Sequence, residues 1–296
     1  MKGPNALDAN SKIAPANCFV EFKKEDTHQS IAARFEEIAR QNGARLAVEA
    51  GGQCLTYEAL NRAANQIARA LLNKSEDRMG PVALLFKQGA SMIKGSLAAL
   101  KSGKIYAPID YSMPLQRTRR IQLDSQAQLL MPDRENVSLA LEVIQDPGKI
   151  LNIDDIAGDF SGDNLEVSIM PDRPAFIHYT SGSTGAPKGV VDSHRNELVS
   201  IMLKTNALHV SRDDRISLLR SSNVGATSDA LLALLNGAAI FPVELKEEGL
   251  AQLAQWLIER EITIFTCVAS VYRYCVRSLQ GREPFPKLRL IHLVGE

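Results

Sequence analysis

The densest chemistry in this chain lies in eleven residues, Tyr179-Thr180-Ser181-Gly182-Ser183-Thr184-Gly185-Ala186-Pro187-Lys188-Gly189. Four serine and threonine hydroxyls, three glycines and one lysine fall between the apolar runs Ala175-Phe176-Ile177 and Val190-Val191. Glycines let a backbone approach a ligand closely, so that consecutive N–H groups converge on an anion. The hydroxyls add donors, and Lys188 adds a mobile point charge suited to phosphate. A triphosphate is the ligand this chemistry fits. The Walker arrangement is a different solution, because Pro187 sits where its second glycine belongs and Gly189 follows the lysine in place of Ser or Thr. Pro187 also keeps the loop from running straight into a helix. A Ser/Gly linker is the bland alternative, but linkers rarely lie between two β-rich runs or close on a Pro-Lys pair.

Such a loop needs a frame. The flanking runs predict a strand, a flexible loop and a second extended segment. Ahead of them, residues 1–25 read as an extended lead-in, and Ile31, Phe35, Ile38 and Ala39 mark a helical face within Ser30–Arg40. Leu46–Val48 and Gln53–Leu55 flank Gly51-Gly52 as a hairpin, after which Thr56 caps a helix with the stripe Leu60, Ala63, Ala64, Ile67, Ala70 and Leu71. Val82–Phe86, Ser91–Lys101 and Ile105–Ile109 form a β-α-β unit, with Gly103 as helix stop and Pro108 at a strand end or sheet edge. Arg117–Ser125 continues as helix and Ala127–Met131 as strand. Residues 132–173 change character: Asp154, Asp155, Asp159 and Asp163 lie among glycines and serine without EF-hand spacing, and read as a solvated surface loop. Beyond the organising loop, helices at Glu197–Lys204, Ser228–Asn236, Leu250–Ile258 and Ala269–Leu279 alternate with strands at Arg215–Leu219, Ala238–Val243, Ile262–Thr266 and Leu288–Val294. The small-residue stretch 221–227 precedes the second of these helices. The fold class is α/β, with layered parallel β-sheets flanked by helices.

Composition narrows the function. Apolar residues make up 45% of the 296 and charged residues 23%, enough for a sizeable core. A net charge of zero gives no footprint for nucleic acid or an anionic membrane, and no signal-peptide or membrane-spanning run is present. Cys18, Cys54, Cys267 and Cys275 lack metal-ligand spacing and read as buried or idle thiols. A soluble, cytoplasmic protein is the expectation.

The segment YTSGSTGAPKGVVDSHRN, from Tyr179 to Asn196, resembles the phosphate-loop motif of the adenylate-forming superfamily, and in particular the adenylation domains of nonribosomal peptide synthetases. LTYEALNRAANQIARALL and LAALKSGKIYAPIDYSMPLQR resemble two earlier core motifs of that family, in the same order, and are assigned to architecture. The resemblance implies an acyl-CoA synthetase-like large N-terminal domain over residues 26–296. It also implies ATP-dependent activation of a carboxylic acid as an acyl-adenylate, with Mg2+, and transfer of the acyl group to the phosphopantetheine arm of a peptidyl carrier protein among other synthetase domains. Thr180, Ser181, Ser183, Thr184 and Lys188 would grip the β- and γ-phosphates, with Gly182 and Gly185 letting the backbone fold around them. His178 reads as a core or edge histidine before a catalytic one.

By the same resemblance Val224, Gly225, Ser228, Thr266, His292 and Val294 match acid-pocket positions. The family's usual Phe-Asp pair is here Asn223-Val224, and in amino-acid-activating relatives that Asp pairs with the substrate ammonium. A buried ammonium without a partner costs on the order of several kcal/mol. Either the acid lacks an α-amine (a keto, hydroxy, aryl or fatty acid), or its amine is held elsewhere, or the register is shifted. Asp229 is the nearest acid in sequence. His292, as a strand residue, can face the pocket or away from it. The family's Gly-Pro-Thr-Glu segment, ribose-binding Asp and catalytic-lysine domain are not in these residues, so the expectation is an incomplete large domain, inactive alone and poorly soluble at a cut sheet edge. The alternatives are a stand-alone acyl- or aryl-CoA ligase and a non-catalytic remnant or partner-binding piece.

Overall fold

The computed structural model describes residues 17–75, 77, 80–156, 158, 160–181, 187–219, 224–244, 249–279, 281 and 284–295. The strands are β1 (Leu46–Ala50), β2 (Gln53–Thr56), β3 (Val82–Phe86), β4 (Tyr106–Asp110), β5 (Leu129–Pro132), β6 (Pro174–Ser181), β7 (Pro187–Ser193), β8 (Arg215–Leu218), β9 (Ala239–Pro242), β10 (Ile264–Val268) and β11 (Leu290–Val294). Helices α1 (Ile31–Asn42), α2 (Tyr57–Lys74), α3 (Ala90–Lys101), α4 (Leu115–Asp124), α5 (Val137–Ile144), α6 (His194–Leu208), α7 (Val224–Leu234), α8 (Leu253–Glu259) and α9 (Ala269–Ser278) connect them.

Two sheets result. One runs β11-β10-β8-β9-β1-β2 and the other β5-β3-β4-β6-β7. Each is parallel except for one antiparallel edge strand, β2 against β1 and β7 against β6. Side-chain alternation then sorts the core into layers. On β3, Val82, Leu84 and Phe86 face a central core shared with α1, α2, α3, α6 and α7, while Ala83 and Leu85 face a separate core under α4 and α5. On β10, Ile264 joins the central core, whereas Phe265 and Cys267 join an outer core with α8 and α9. The order is helix, sheet, helix, sheet, helix.

Helix α3 fills the space between the sheets and is buried along almost its whole length. Gly95 makes this possible: a Cβ there would lie 2.5 Å from the Phe86 ring. Gly103, at φ +73°, turns the chain out of α3 as expected, with the Lys104 N–H returning to the Ala99 carbonyl at 3.1 Å. Both lysines of this segment are buried. Lys101 pairs with Glu36 and donates to Asn61 Oδ1 at 3.0 Å, joining α1 and α2 to α3. Lys104 donates to the Asp77 and Gly80 carbonyls at 2.6 and 3.2 Å.

Four features differ from the sequence reading. Pro108 lies inside β4, a central strand that continues to Asp110. It opposes Leu84 of β3, two residues past the Tyr106–Phe176 pairing with β6. Residues 132–173 contain α5, and part of the stretch is strapped to α2 instead of being merely solvated: Arg69 donates to the Ser161, Asp163 and Asn164 carbonyls, and Asn65 to that of Gly162 at 2.7 Å. Helix α7 begins at Val224, so the small residues 224–227 form its first turn. Within the lead-in, Lys24–Thr27 is a 3-10 turn, and Phe22 is buried with its N–H and carbonyl both bonded to the Asn206 side chain.

Candidate functional site

Strands β6 and β7 form a hairpin in register from Pro174–Ser193 to Ser181–Pro187, and residues 182–186 join them. Thr180 opposes Lys188 one pair before the end of the ladder, and both are exposed. A threonine and a lysine are therefore paired across the ladder near the end that leads into the glycine-rich residues 182–186. Gly182, Ser183, Thr184 and Gly185 lie outside the described residues, as do the side chains of Ser181 and Val224.

The hairpin is anchored on both faces. Tyr179 packs against the core under α4 and donates its hydroxyl to Asp124 Oδ2 at 2.8 Å. Burial first, then Asp124, raises the Tyr179 pKa, so the phenol keeps its proton. On the opposite face, Phe176 stacks at 5.6 Å on Tyr106 and meets the His178 ring edge-on at 4.6 Å. His178 Nε2 stands 3.7 Å from Asp192 Oδ2 on β7. Burial lowers the His178 pKa against the pull of Asp192. His178 thus behaves as a packed, predominantly neutral histidine of the hairpin.

Where β7 ends, Ser193 caps α6, accepting the Asn196 N–H at 3.1 Å. His194 follows, fully buried, with Nδ1 accepting the Ile31 N–H at 3.2 Å. Burial, then Arg173, pulls His194 down to about 4. The β6–β7 hairpin is thereby pinned to the start of α1.

The second cluster lies on α7, β10 and β11. Thr266 opposes His292 and Val268 opposes Val294, in register with Ile264 and Leu290. Thr266, His292 and Val294 therefore share one face of the sheet, the face that meets the central core. His292 is on the inward side. Thr266 is fixed by Ser217 of β8, whose Oγ accepts the Thr266 N–H at 3.0 Å. Gly225 lies in the first turn of α7. Ser228, one turn on, is buried, and its Oγ accepts from Lys204 Nζ of α6 at 2.9 Å. The structure joins Thr266, His292 and Val294 in one row and ties Ser228 to α6.

Sequence reasoning missed two charged residues. Glu197 and Lys204 both lie within α6, and Glu197 is only 4% exposed beside Ser228. An acid and a lysine seven positions apart on one helix face were the available signal. A separate cleft of about 600 Å3 opens at the carboxyl ends of β1, β3 and β9, between Lys87, Asp133, Glu244 and Trp256; the hairpin glycines Gly51 and Gly52 line it, and none of the candidate site residues does.

The sequence model of the AMP-binding enzyme family matches residues 35–296. The chain belongs to the AMP-binding enzyme family. Among relatives of this AMP-binding chain, surfactin synthase subunit 2 of Bacillus subtilis (strain 168) is 34% identical over 266 residues, covering 88% of the chain and 7% of the relative. Tyrocidine synthase 1 of Brevibacillus parabrevis is 32% identical over 241 residues, covering 80% of the chain and 22% of the relative. The chain thus spans less than a quarter of the length of these relatives. The nonribosomal peptide synthetase FmoA3 (S1046A), solved in an AMPPNP-bound form, superposes with a TM-score of 0.81 at 25% identity, over 90% of this chain and 29% of that one.

The buried thiols are as expected. Cys267 and Cys275 lie in the outer core, and burial pushes Cys267 up to about 12, leaving it protonated and inert. Among the described residues no helix is long and apolar enough to cross a membrane.

Proposed function

We propose that residues 26–296 act as the large domain of an adenylation enzyme, activating a carboxylic acid with ATP as an acyl-adenylate and releasing pyrophosphate. The single observation that carries this is the β6–β7 hairpin, which sets Thr180 and Lys188 opposite each other at the mouth of the glycine- and hydroxyl-rich turn. The family match over residues 35–296 supports the same reading. Thr180, Ser181, Ser183, Thr184 and Lys188 hold the triphosphate, with Gly182 and Gly185 allowing close backbone approach. The chemical task is to hold a carboxylate against the α-phosphate while charge builds on the leaving pyrophosphate. Lys188, exposed, supplies charge along the phosphates, and the hairpin that carries it is anchored on both faces.

The acid binds beside Gly225, Ser228, Thr266, His292 and Val294, with Val224 in the place of the family's ammonium-binding Asp. It is an acid without an α-amine, or one whose amine is held away from position 224. Relatives named as surfactin and tyrocidine synthases support a place within a synthetase; delivery of the acyl group to a phosphopantetheine carrier and a cytoplasmic location belong to the same proposal. Mg2+ would accompany ATP, as an ion that ordinarily needs only one or two carboxylates beside the substrate's own phosphates, and no step is assigned to it.

The test is ATP–pyrophosphate exchange by the protein expressed from its complete coding sequence, with each amino acid paired with its α-keto and α-hydroxy counterparts. Exchange is expected, and Lys188→Met should lower it at least about tenfold. Exchange with deaminated acids alone would assign the missing ammonium anchor to Val224. Absence of exchange with every acid would refute the adenylation reading.

A further inference from the structure

Lys204 lies one turn before the end of α6, on backbone that is fixed from both sides of the helix. Thr205, next to it, is fully buried, and its Oγ1 accepts from Asn236 Nδ2 at 2.8 Å. Asn206 holds both the N–H and the carbonyl of Phe22. Leu203, on the other side, is 62% exposed, so water is one residue away. A lysine at such a boundary ordinarily runs its stem along the surface and keeps its ammonium in solvent. Lys204 instead lays Nζ against α7, where it donates to the buried hydroxyl of Ser228 at 2.9 Å.

That contact leaves the charge unanswered. An ammonium has three donors, and a serine hydroxyl takes one of them without neutralising anything. Among the described residues Lys204 forms no ion pair. Glu197, the acid on its own helix face, is seven positions back along α6, and Asp229 leaves α7 about 100° round from Ser228. An ammonium drawn out of water toward a neutral hydroxyl gains little unless an anion completes the site. The hydroxyl it reaches belongs to the set proposed to line the acid pocket: Val224, Gly225, Ser228, Thr266, His292 and Val294, none of which is an acid. The wall thus lacks the carboxylate that a substrate ammonium would need and has a lysine bonded to one of its members.

We propose that Lys204 binds a second carboxylate on the acid, so that the substrate of this chain is a dicarboxylic acid. The inference rests on the adenylation reading and names the substrate class of its acid pocket. One carboxyl of the acid goes to the α-phosphate. The other meets the two remaining donors of Lys204 Nζ, and Ser228, which accepts from the lysine, turns its own O–H toward the same carboxylate. Hydrogen bonds between ionised partners are about twice as strong as neutral ones, which is what separates a dicarboxylate from a neutral acid of the same shape. A lysine is a point charge on a flexible stem and does not impose the fork geometry of an arginine, so the spacing between the two carboxyls is left to the panel below.

The experiment measures pyrophosphate exchange by the wild type, Lys204→Gln and Lys204→Met, each expressed from the complete coding sequence. The acids are succinate, glutarate, malate and 2-oxoglutarate, each beside the amide of its far carboxyl, together with the amino, α-keto and α-hydroxy acids already named. The wild type is expected to favour at least one dicarboxylate over its amide by at least about tenfold in kcat/KM. Lys204→Gln keeps an N–H donor for Ser228 but no charge. It should bring that ratio to within about threefold of unity and leave the ATP KM within about twofold. Lys204→Met loses donor and charge together, and its exchange with the dicarboxylate should fall at least as far. A ratio that Lys204→Gln leaves unchanged would overturn the proposal. So would equal losses on dicarboxylate and amide, which would make Lys204 a tie between α6 and α7 and nothing more. Should Lys204→Met fail to fold by circular dichroism, Lys204→Gln decides alone. A wild type that exchanges with no acid overturns the adenylation reading and this inference together; one that prefers acids lacking a second carboxylate overturns the inference alone.

Discussion

His194 shows what burial does to a residue that looks functional on paper. It sits in the Ser-His-Arg-Asn segment that follows the glycine- and hydroxyl-rich stretch, yet it is fully buried with its Nδ1 occupied by the Ile31 N–H. Its folded pKa, about 4, lies below the ordinary histidine value of 6.5, so the unfolded chain takes up a proton first as pH falls. The stabilisation is therefore full above about pH 6.5 and is lost between there and pH 4, amounting to about 3 kcal/mol at most. His178, depressed in the same direction, adds to the slope. Urea unfolding at a series of pH values should show stability falling across that window. His194→Gln, which keeps an acceptor for Ile31, should flatten it by more than half. An unchanged slope would remove His194 from the account.

At the scale of elements, the strand–helix alternation was legible because period-two and helical patterns are separated cleanly by glycine and polar turns. Gly103 as the stop of α3 and Gly51-Gly52 at the β1–β2 hairpin both fell where local conformation alone decides. The misses have physical causes. Helix α5 is only eight residues long, six of them apolar with Ser138 and Glu142 between, and the acidic, glycine-rich stretch beside it masked it. The start of α7 is built from Val, Gly, Ala and Thr, of which only Ala is a good helix former, and the turn is helical here because it is packed between α3, α6 and the β8–β9 pair. The hairpin carrying Thr180 and Lys188 was readable, whereas Glu197 and Lys204 were not, since a charged helical residue reads as solvent-facing until its neighbour is known. Element packing also makes Gly95 indispensable. A methyl there gains helix propensity but meets Phe86 Cε2 and Cζ at 2.5 and 2.6 Å. Gly95→Ala should therefore destabilise by about 1–2 kcal/mol net, and pairing it with Phe86→Leu should recover part of that loss. Additive losses in denaturant melts would show that the ring is not what the methyl meets.

Across the whole molecule, a polar fastener sits at the strand entries of the larger sheet, apart from the proposed acid pocket. Asp214, Thr263 and Arg289 each lie immediately before β8, β10 and β11 and meet where those parallel strands begin. Arg289 Nε and Nη2 donate to the two Asp214 carboxylate oxygens, both at 2.7 Å; Thr263 Oγ1 donates to Oδ1 at 2.7 Å and the Ser211 N–H to Oδ2 at 2.8 Å. The same arginine reaches the Leu208 and His209 carbonyls at 3.1 and 3.0 Å, closing the end of α6 onto the sheet. The row Thr266, His292 and Val294, proposed to line the acid pocket, runs from the middle of β10 and β11 to the end of β11, two or more residues beyond the strand entries. Burial alone would raise the Asp214 pKa, but Arg289, Ser211 and Thr263 outweigh it and hold it below the usual carboxylate range. Its contribution is thus full above about pH 4 and disappears as pH falls through the folded value. Asp214→Asn leaves Arg289 with a neutral partner and should cost about 2–4 kcal/mol in urea unfolding at pH 7. Because the fastener sits at the strand entries, the surviving folded fraction should keep its preference among acids within about twofold. A variant whose acid preference shifts along with its stability would mean that the two ends of the sheet are mechanically coupled, and that the strand entries help shape the pocket after all.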